Sequence, residues 1–176
     1  MERKYKLLNN KEMKLDDVNL TYEQKLEVAR WIIDNNSKML LTGSIMLKER
    51  GIDLGREPND IDILVVSEDG IGDLILPPLA TEVETNSDDG YTVKARYKYL
   101  GTKIDFICQE DGDSAYLYDY GVLPLASVET LLKIKREYVE TDTNPDSVQK
   151  HKRDIEVIEK WMKEEQNKPT DGKRIG

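Results

Sequence analysis

The sequence predicts an α+β fold: a small mixed β-sheet with flanking helices and a pair of helices at its C-terminal end. Three observations carry this. Short apolar, β-branched runs read as strands. Apolar stripes at helical spacing read as amphipathic helices. The order is helix, strand, helix, several strands, then two helices, which is the segregated pattern of an α+β domain. Residues 1–122 are expected to form the core and residues 123–166 a helical part packed on it. The polar tail 167–176 is expected to be mobile.

Residues 1–20 are polar and carry no clear signal. Thr21 and Gln24 fit a capping box, and Leu26, Ala29, Ile32 and Ile33 form the stripe of a first helix, closed by Asn35 and Asn36. Residues 38–42 (KMLLT) read as a short buried strand. Gly43 and Ser44 follow, then a brief helix over 45–50 stopped by Gly51. The most strand-like run is 60–67 (DIDILVVS). The apolar stretch 71–79 is broken by Pro77 and Pro78, and 81–85 is a candidate strand. Residues 91–100 and 103–109 read as two strands joined tightly at Gly101-Thr102, a hairpin signal. A Tyr- and Gly-rich loop spans 111–122, and helices are expected over 127–140 and 147–166.

Composition narrows the function. Charged residues make up 35% of the 176, with a formal net charge of −9, which disfavours passive binding to long nucleic acid. No apolar run approaches the ~20 residues of a membrane span, and the first residues lack the apolar core of a signal peptide. A cytoplasmic protein is therefore expected. One cysteine, Cys108, and one histidine, His151, argue against a disulfide framework, a multi-Cys zinc site and a Ser-His-Asp triad. Chemistry must come from carboxylates, lysines and backbone. Cys108 reads as a small core residue.

The carboxylates have a pattern. Residues two apart on a strand share a face, so Asp60 and Asp62 project side by side while Ile61 and Ile63 point into the core. Two adjacent carboxylates repel, and a hard divalent cation relieves this. Asp105, between Ile104 and Phe106, repeats the apolar-acid-apolar setting of Asp62. Were its strand beside 60–67, three carboxylates would converge, enough for one or two ions of the phosphoryl-transfer type. Gly43-Ser44, where a strand meets a helix, suits a phosphate. Each piece alone is ordinary: Gly-Ser is a common turn and Asp-x-Asp a common strand edge. The combination is the signal.

These residues resemble the nucleotidyltransferase fold of the DNA polymerase beta superfamily. That family carries Gly-Gly or Gly-Ser on a short helix, then Asp-hydrophobic-Asp-hydrophobic, then a third Asp on a later strand. Gly43, Ser44, Asp60, Asp62 and Asp105 match, over roughly residues 38–109. The stretch between Ser44 and Asp60 is slightly longer than the common pattern, with the insertion in the 51–55 loop. The resemblance implies a Mg²⁺-dependent enzyme moving NMP from an NTP to a hydroxyl, with two ions (Mn²⁺ as the alternative metal) and ATP as the leading donor. Asp60, Asp62 and Asp105 would hold the metals, Asp105 would assist deprotonation of the acceptor, and Gly43 and Ser44 would hold the β,γ-phosphates. Arg56 also looks like an Arg often seen before the first Asp, in a supporting place. The alternative is a non-catalytic nucleotide-binding or regulatory partner of the same fold, of the toxin–antitoxin or phage-defence kind.

On the first C-terminal helix Lys135 falls in the middle of the arc formed by Val128, Leu131, Leu132, Tyr138 and Val139. Either its stem snorkels to water, or it faces the cleft and touches phosphates. On the last helix His151 and Asp154 fall within the arc of Ile155, Ile158, Trp161 and Met162. A Lys135–Asp154 pair across the helices is one account; both residues lining the site is another. The arrangement is similar to the abortive-infection-type nucleotidyltransferases, where a Lys on one helix is followed by an Arg/Lys-Asp pair on the next, here Lys135 and Arg153-Asp154. An acidic residue expected three positions later is Val157 instead. Lys48 and Arg50 are phosphate candidates, though a solvated face is the more ordinary role. His151 reads as a cap or packing residue. Tyr116, Tyr118 and Tyr120 could floor a base pocket or cover a sheet edge. For the acceptor, a small molecule or protein is favoured over long nucleic acid, with tRNA as a further option.

Overall fold

In a computed structural model the described residues are 4–6, 12–14, 18–36, 38–65, 69–85, 93–108 and 123–168. The tyrosine stretch 116–120 and most of the tail lie outside them. The α+β expectation is met. A five-stranded mixed sheet is built from β3 (Met39–Thr42), β4 (Ile61–Val65), β5 (Ala80–Thr85), β6 (Val93–Tyr99) and β7 (Thr102–Cys108), in the order β3-β4-β7-β6-β5. Only the β4–β7 pair is parallel. The helices are α1 (Tyr22–Asn35), α2 (Gly43–Glu49), the short α3 (Asp69–Gly72), α4 (Val128–Thr141) and α5 (Pro145–Asn167). Strands β1 (Lys4–Lys6) and β2 (Glu12–Lys14) form a separate antiparallel pair. Among the described residues, no helix is long and apolar enough to cross a membrane.

Local chemistry explains the boundaries. Thr21 caps α1 in a reciprocal capping box with Gln24. Ser127 caps α4, accepting a hydrogen bond from the Thr130 amide. Helix α5 begins two residues earlier than the sequence suggested. Asn144 caps it, and Pro145 occupies the first turn, where a missing N–H costs nothing. Strand β4 starts one residue later than expected, so Asp60 stands just ahead of it.

The two faces of the sheet are covered differently. On one, Met39, Leu41, Ile61, Ile63, Ile104 and Phe106 pack against Ala29, Ile32 and Ile33 of α1 and Ile45 and Met46 of α2. On the other, Leu40, Leu64 and Ile107 pack under Ala126 and Ile134, with Tyr138 against them. Helix α4 is thus buried on more of its circumference than its apolar arc implied, and Ile134, outside that arc, is fully buried. The segment before α4 pairs with the outer edge of β3: the Leu41 amide donates to Pro124 O, and the Ala126 amide to Leu41 O. That edge is satisfied by backbone, and the C-terminal helices are held against the sheet.

Candidate active site

Along the second face the pattern changes within two residues on each strand. Leu40, Leu64 and Ile107 give way to Thr42, Asp62 and Asp105. Register makes these a row: Thr42 opposes Asp62, Asp62 opposes Asp105, and Asp105 opposes Arg96. Directly opposed residues point to the same face, so one polar row crosses four strands. The apolar band lies under α4; the polar band opens into a cleft.

The cleft has a volume of about 330 Å³. Gly43, Ser44, Asp60, Asp62 and Asp105 line it from the sheet side. Lys135 and Tyr138 line it from α4, and Lys150 and His151 from α5. The structure therefore gathers both halves of the sequence signal, the carboxylates and the lysine on an apolar helix face. The separation of Asp60 from the strand does not remove it from the group.

Gly43 shows why a glycine stands there. Its φ is +71°, and a Cβ at this position would overlap Asp62 Oδ2 and lie 2.8 Å from Asp62 Cβ. The backbone at the start of α2 is pressed onto the Asp62 carboxylate. Thr42 Oγ1, one residue earlier, is buried and has no hydrogen-bond partner among the described residues.

The electrostatics are uneven. Asp62 is pushed up to about 7, first by burial and then by the charges of Asp105 and Asp60, against a weaker pull from Lys135 and Lys150. Asp60 is also raised, by burial and then by Asp105. Asp105 is different: Arg96 holds it with a fork, Nε to Oδ1 at 2.7 Å and the second nitrogen to Oδ2 at 3.2 Å. The three carboxylates share the cleft, but among the described residues no three ligand-type side chains stand together as a ready cage for an ion. The fit to a divalent cation is nonetheless chemical. Asp60 and Asp62 are half-buried carboxylates with no ion-pair partner among the described residues, and oxygen ligands of this kind suit Mg²⁺ or Mn²⁺.

Lys135 does not snorkel. Its side chain is 8% exposed, and its ammonium donates to Asp154 Oδ2 at 2.9 Å. Burial pulls its pKa down, opposed by Asp154 and Asp62. Asp154 also takes both guanidinium nitrogens of Arg56, each at 2.7 Å. Burial alone would raise Asp154, but the Arg56 hydrogen bonds and the Lys135 charge outweigh it and hold the carboxyl below its usual range. Asp154 thus lies behind Lys135, while Lys135 faces the cleft. His151 sits against the Tyr138 ring, with Nδ1 3.4 Å from Lys135 Nζ, and is pulled down to about 4 by burial and then by the Lys135 and Lys150 charges.

Other sequence candidates lie elsewhere. Lys48 is paired with Glu57 at 2.8 Å and rests over the Tyr22 ring. It lines a neighbouring hollow that shares Ser44, Arg56 and Glu57 with the cleft. Arg50 donates to Ala126 O and ties α2 to the segment before α4. Arg153 is exposed and does not line the cleft. Cys108 is buried. Arg96 and Lys150 were not singled out by the sequence. The β6–β7 turn falls at Leu100-Gly101, one residue before the predicted Gly101-Thr102, which sets Tyr99 opposite Thr102 and Arg96 opposite Asp105; the predicted turn would have set Lys98 there.

No family model matches the sequence, and no curated protein matches it. Among solved structures, the chain is similar to the antibiotic-resistance factor ANT(2'')-Ia in complex with adenylyl-2''-tobramycin, at 13% identity and a TM-score of 0.44, covering 82% of this chain and 95% of that one. A solution structure of the same factor is similar at 13% identity and a TM-score of 0.44, over 82% and 91%. An H. pylori protein assigned as a nucleotidyltransferase is similar at 12% identity and a TM-score of 0.37, over 84% and 82%. The solved structures it is similar to are nucleotidyltransferases.

Proposed function

We propose that the protein is a Mg²⁺-dependent nucleotidyltransferase that moves NMP from an NTP, ATP foremost, to a hydroxyl acceptor. The observation that carries this is the in-register pair Asp62–Asp105 beside Asp60, in a cleft that also holds Gly43, Ser44 and Lys135. The bond formed joins the acceptor oxygen to the α-phosphorus. The bond broken joins the α-phosphorus to the bridging oxygen of the leaving pyrophosphate, and the acceptor proton goes to a base.

Asp60, Asp62 and Asp105 are the residues to hold divalent cations, Mg²⁺ or Mn²⁺. The cations would supply charge neutralisation of the triphosphate and a lowered pKa of the acceptor hydroxyl. In this reading Asp105, once released from the Arg96 fork, accepts the acceptor proton. Ser44 and the backbone at Gly43 face the triphosphate, and Lys135 adds positive charge as the leaving group develops its own. In this reading Asp154, held in turn by Arg56, fixes Lys135, while Lys48, paired with Glu57, and Arg153, outside the cleft lining, are assigned no step. A small molecule or a protein side chain is the acceptor class we favour. The cytoplasm is the setting, where NTP and Mg²⁺ coexist.

A second reading keeps one observation on its side. The hold of Arg96 on Asp105 suits a module that binds nucleotide without turning it over. Pyrophosphate release separates the two. The expected result is Mg²⁺-dependent release from ATP in the presence of acceptor-containing lysate fractions, lost in Asp62→Asn. Metal-dependent binding of ATP with no release in any fraction favours the non-catalytic module. Full release by Asp62→Asn overturns the enzyme as assigned.

A further inference from the structure

Arg96 has no part in the transfer reaction as assigned above, yet it makes a two-nitrogen contact with a cleft carboxylate. Its position is set by the fold. The tight β6–β7 turn fixes Arg96 opposite Asp105, and the guanidinium engages both carboxylate oxygens, at 2.7 and 3.2 Å. On the other side of Asp105, in register on β4, stands Asp62. Asp105 is thus flanked by a cation on one strand and a carboxylate on the other. It can turn its oxygens to only one of them fully.

We infer that Arg96 is a tethered cation of the carboxylate group: its guanidinium holds Asp105 while no divalent ion is bound, and gives it up when an ion is taken between Asp60, Asp62 and Asp105. This rests on the metal-dependent reading of the cleft. The exposure of the two partners decides how the exchange runs. The Arg96 side chain is 33% exposed, so the guanidinium can move to water. The Asp105 side chain is only 11% exposed, so its carboxylate has to trade the fork for the ion directly and not stand unpaired in between. The competing ion offers two charges to three carboxylates, two of which have no ion-pair partner among the described residues. After release the guanidinium stays anchored on β6 at the cleft wall, where an incoming triphosphate brings negative charge. Arg96 therefore makes metal uptake without nucleotide weaker than the carboxylate set alone would allow.

Binding of Mn²⁺ to the full chain without nucleotide, followed by electron paramagnetic resonance, tests this directly. Arg96→Gln is expected to tighten Mn²⁺ binding by about tenfold, and Arg96→Lys, which keeps a charge but loses the fork, by roughly threefold. Arg96→Lys also keeps the test alive should Arg96→Gln fold poorly. The gain is expected to vanish when Arg96→Gln is made on Asp105→Asn. Lys150→Gln removes another cleft charge with no contact to Asp105, so whatever it gains should persist on Asp105→Asn. Unchanged or weaker Mn²⁺ binding by both Arg96 variants overturns the proposal, as does a gain that survives Asp105→Asn. If Asp62→Asn weakens Mn²⁺ binding while the Arg96 variants do not alter it, the metal reading stands and the role of Arg96 falls. Mn²⁺ binding indifferent to Asp62→Asn overturns both.

Discussion

Two aspartates of this protein meet burial in opposite ways. Asp154 on α5 is enclosed and fully paired, with the Arg56 fork on both oxygens and the Lys135 ammonium at 2.9 Å. Its pKa goes down. Asp62 on β4 is half-buried beside two other carboxylates, with no cation in contact among the described residues, and is pushed up to about 7. The first arrangement is what a structural joint looks like: charges enclosed together, each satisfied. The second is uncomfortable for the chain alone and comfortable only with an added cation or proton. The difference separates a residue that holds the fold from one that the fold holds ready.

The sharpest way to break this contrast is to remove each charge. Asp62→Asn should cost activity on the order of a thousandfold if the cleft transfers nucleotides. It should leave the melting temperature unchanged or raised, because a repulsive charge has gone. Asp154→Ala should lower stability by about 3–5 kcal/mol, since it leaves the Lys135 ammonium enclosed without a partner. Urea denaturation of the two variants reads this difference of sign. Equal destabilisation by both would erase the distinction. Pairing Asp154→Ala with Lys135→Met should recover much of the loss, because the stranded charge leaves with it.

Gly43→Ala probes the wall of the Asp62 site. A Cβ there requires a left-handed φ and overlaps the Asp62 carboxylate. A loss of about 1–3 kcal/mol is expected, together with loss of metal or nucleotide binding as Asp62 is displaced. A variant that melts and binds like the parent would mean that Asp62 moves aside freely.

How much of this was legible in the sequence follows from what each signal depends on. The five strands of the main sheet, the Thr21–Gln24 capping box and the alternation Ile61-Asp62-Ile63 are local signals, and the structure has them with ends shifted by a residue or two; the short β1–β2 pair carried no such signal. The Lys135–Asp154 pair was legible as an alternative, because both are charged residues on apolar helix faces, an anomaly visible without coordinates. Arg56 as the second partner was not. It comes from a loop 98 residues away from Asp154, and nothing local marks it. Ile134 was missed because a helix wheel assumes one buried stripe, whereas α4 meets both the sheet face and α5. Arg96 hid among the alternating basic residues of β6, and only hairpin register shows its partner.

Acidity gives a milder test of the same comparison. Asp62 binds its proton more tightly in the folded chain than in the unfolded one, where its value is 3.8. The native state therefore holds the extra proton between about 4 and 7, and the Asp62 contribution to stability should fall as pH rises through that window. Asp154 has the opposite sign. Its contribution is full above its unfolded value and is lost as pH falls through its lower folded one. His151 contributes with the opposite sign over much of the same window, so the difference between parent and variant is what reads Asp62. In metal-free buffer, Asp62→Asn should gain in melting temperature relative to the parent as pH rises from 4 to 7. A difference between the two that stays constant across that range would contradict the raised Asp62.

The smallest effect is the most easily seen. His151 is the one histidine in the sequence, so its ring protons give a single resolved pair of resonances. Burial, then the Lys135 and Lys150 charges, pull it to about 4, well under its usual 6.5. It should remain neutral through the physiological range. Its contribution to stability should decline as pH falls from about 6.5 towards 4, because the unfolded chain takes up that proton first. The titration also reports on Lys135. With Asp154 present the neighbouring ammonium stays charged and depresses His151. In Asp154→Asn, Lys135 loses the partner that sustains its charge, and one of the causes depressing His151 weakens. The His151 midpoint should therefore climb in that variant if Lys135 deprotonates there. A midpoint that instead drops would mean that Lys135 keeps its proton without Asp154, and that what His151 lost was the attraction of the Asp154 carboxylate. The paired aspartate would then not be what maintains the charge on the lysine facing the cleft.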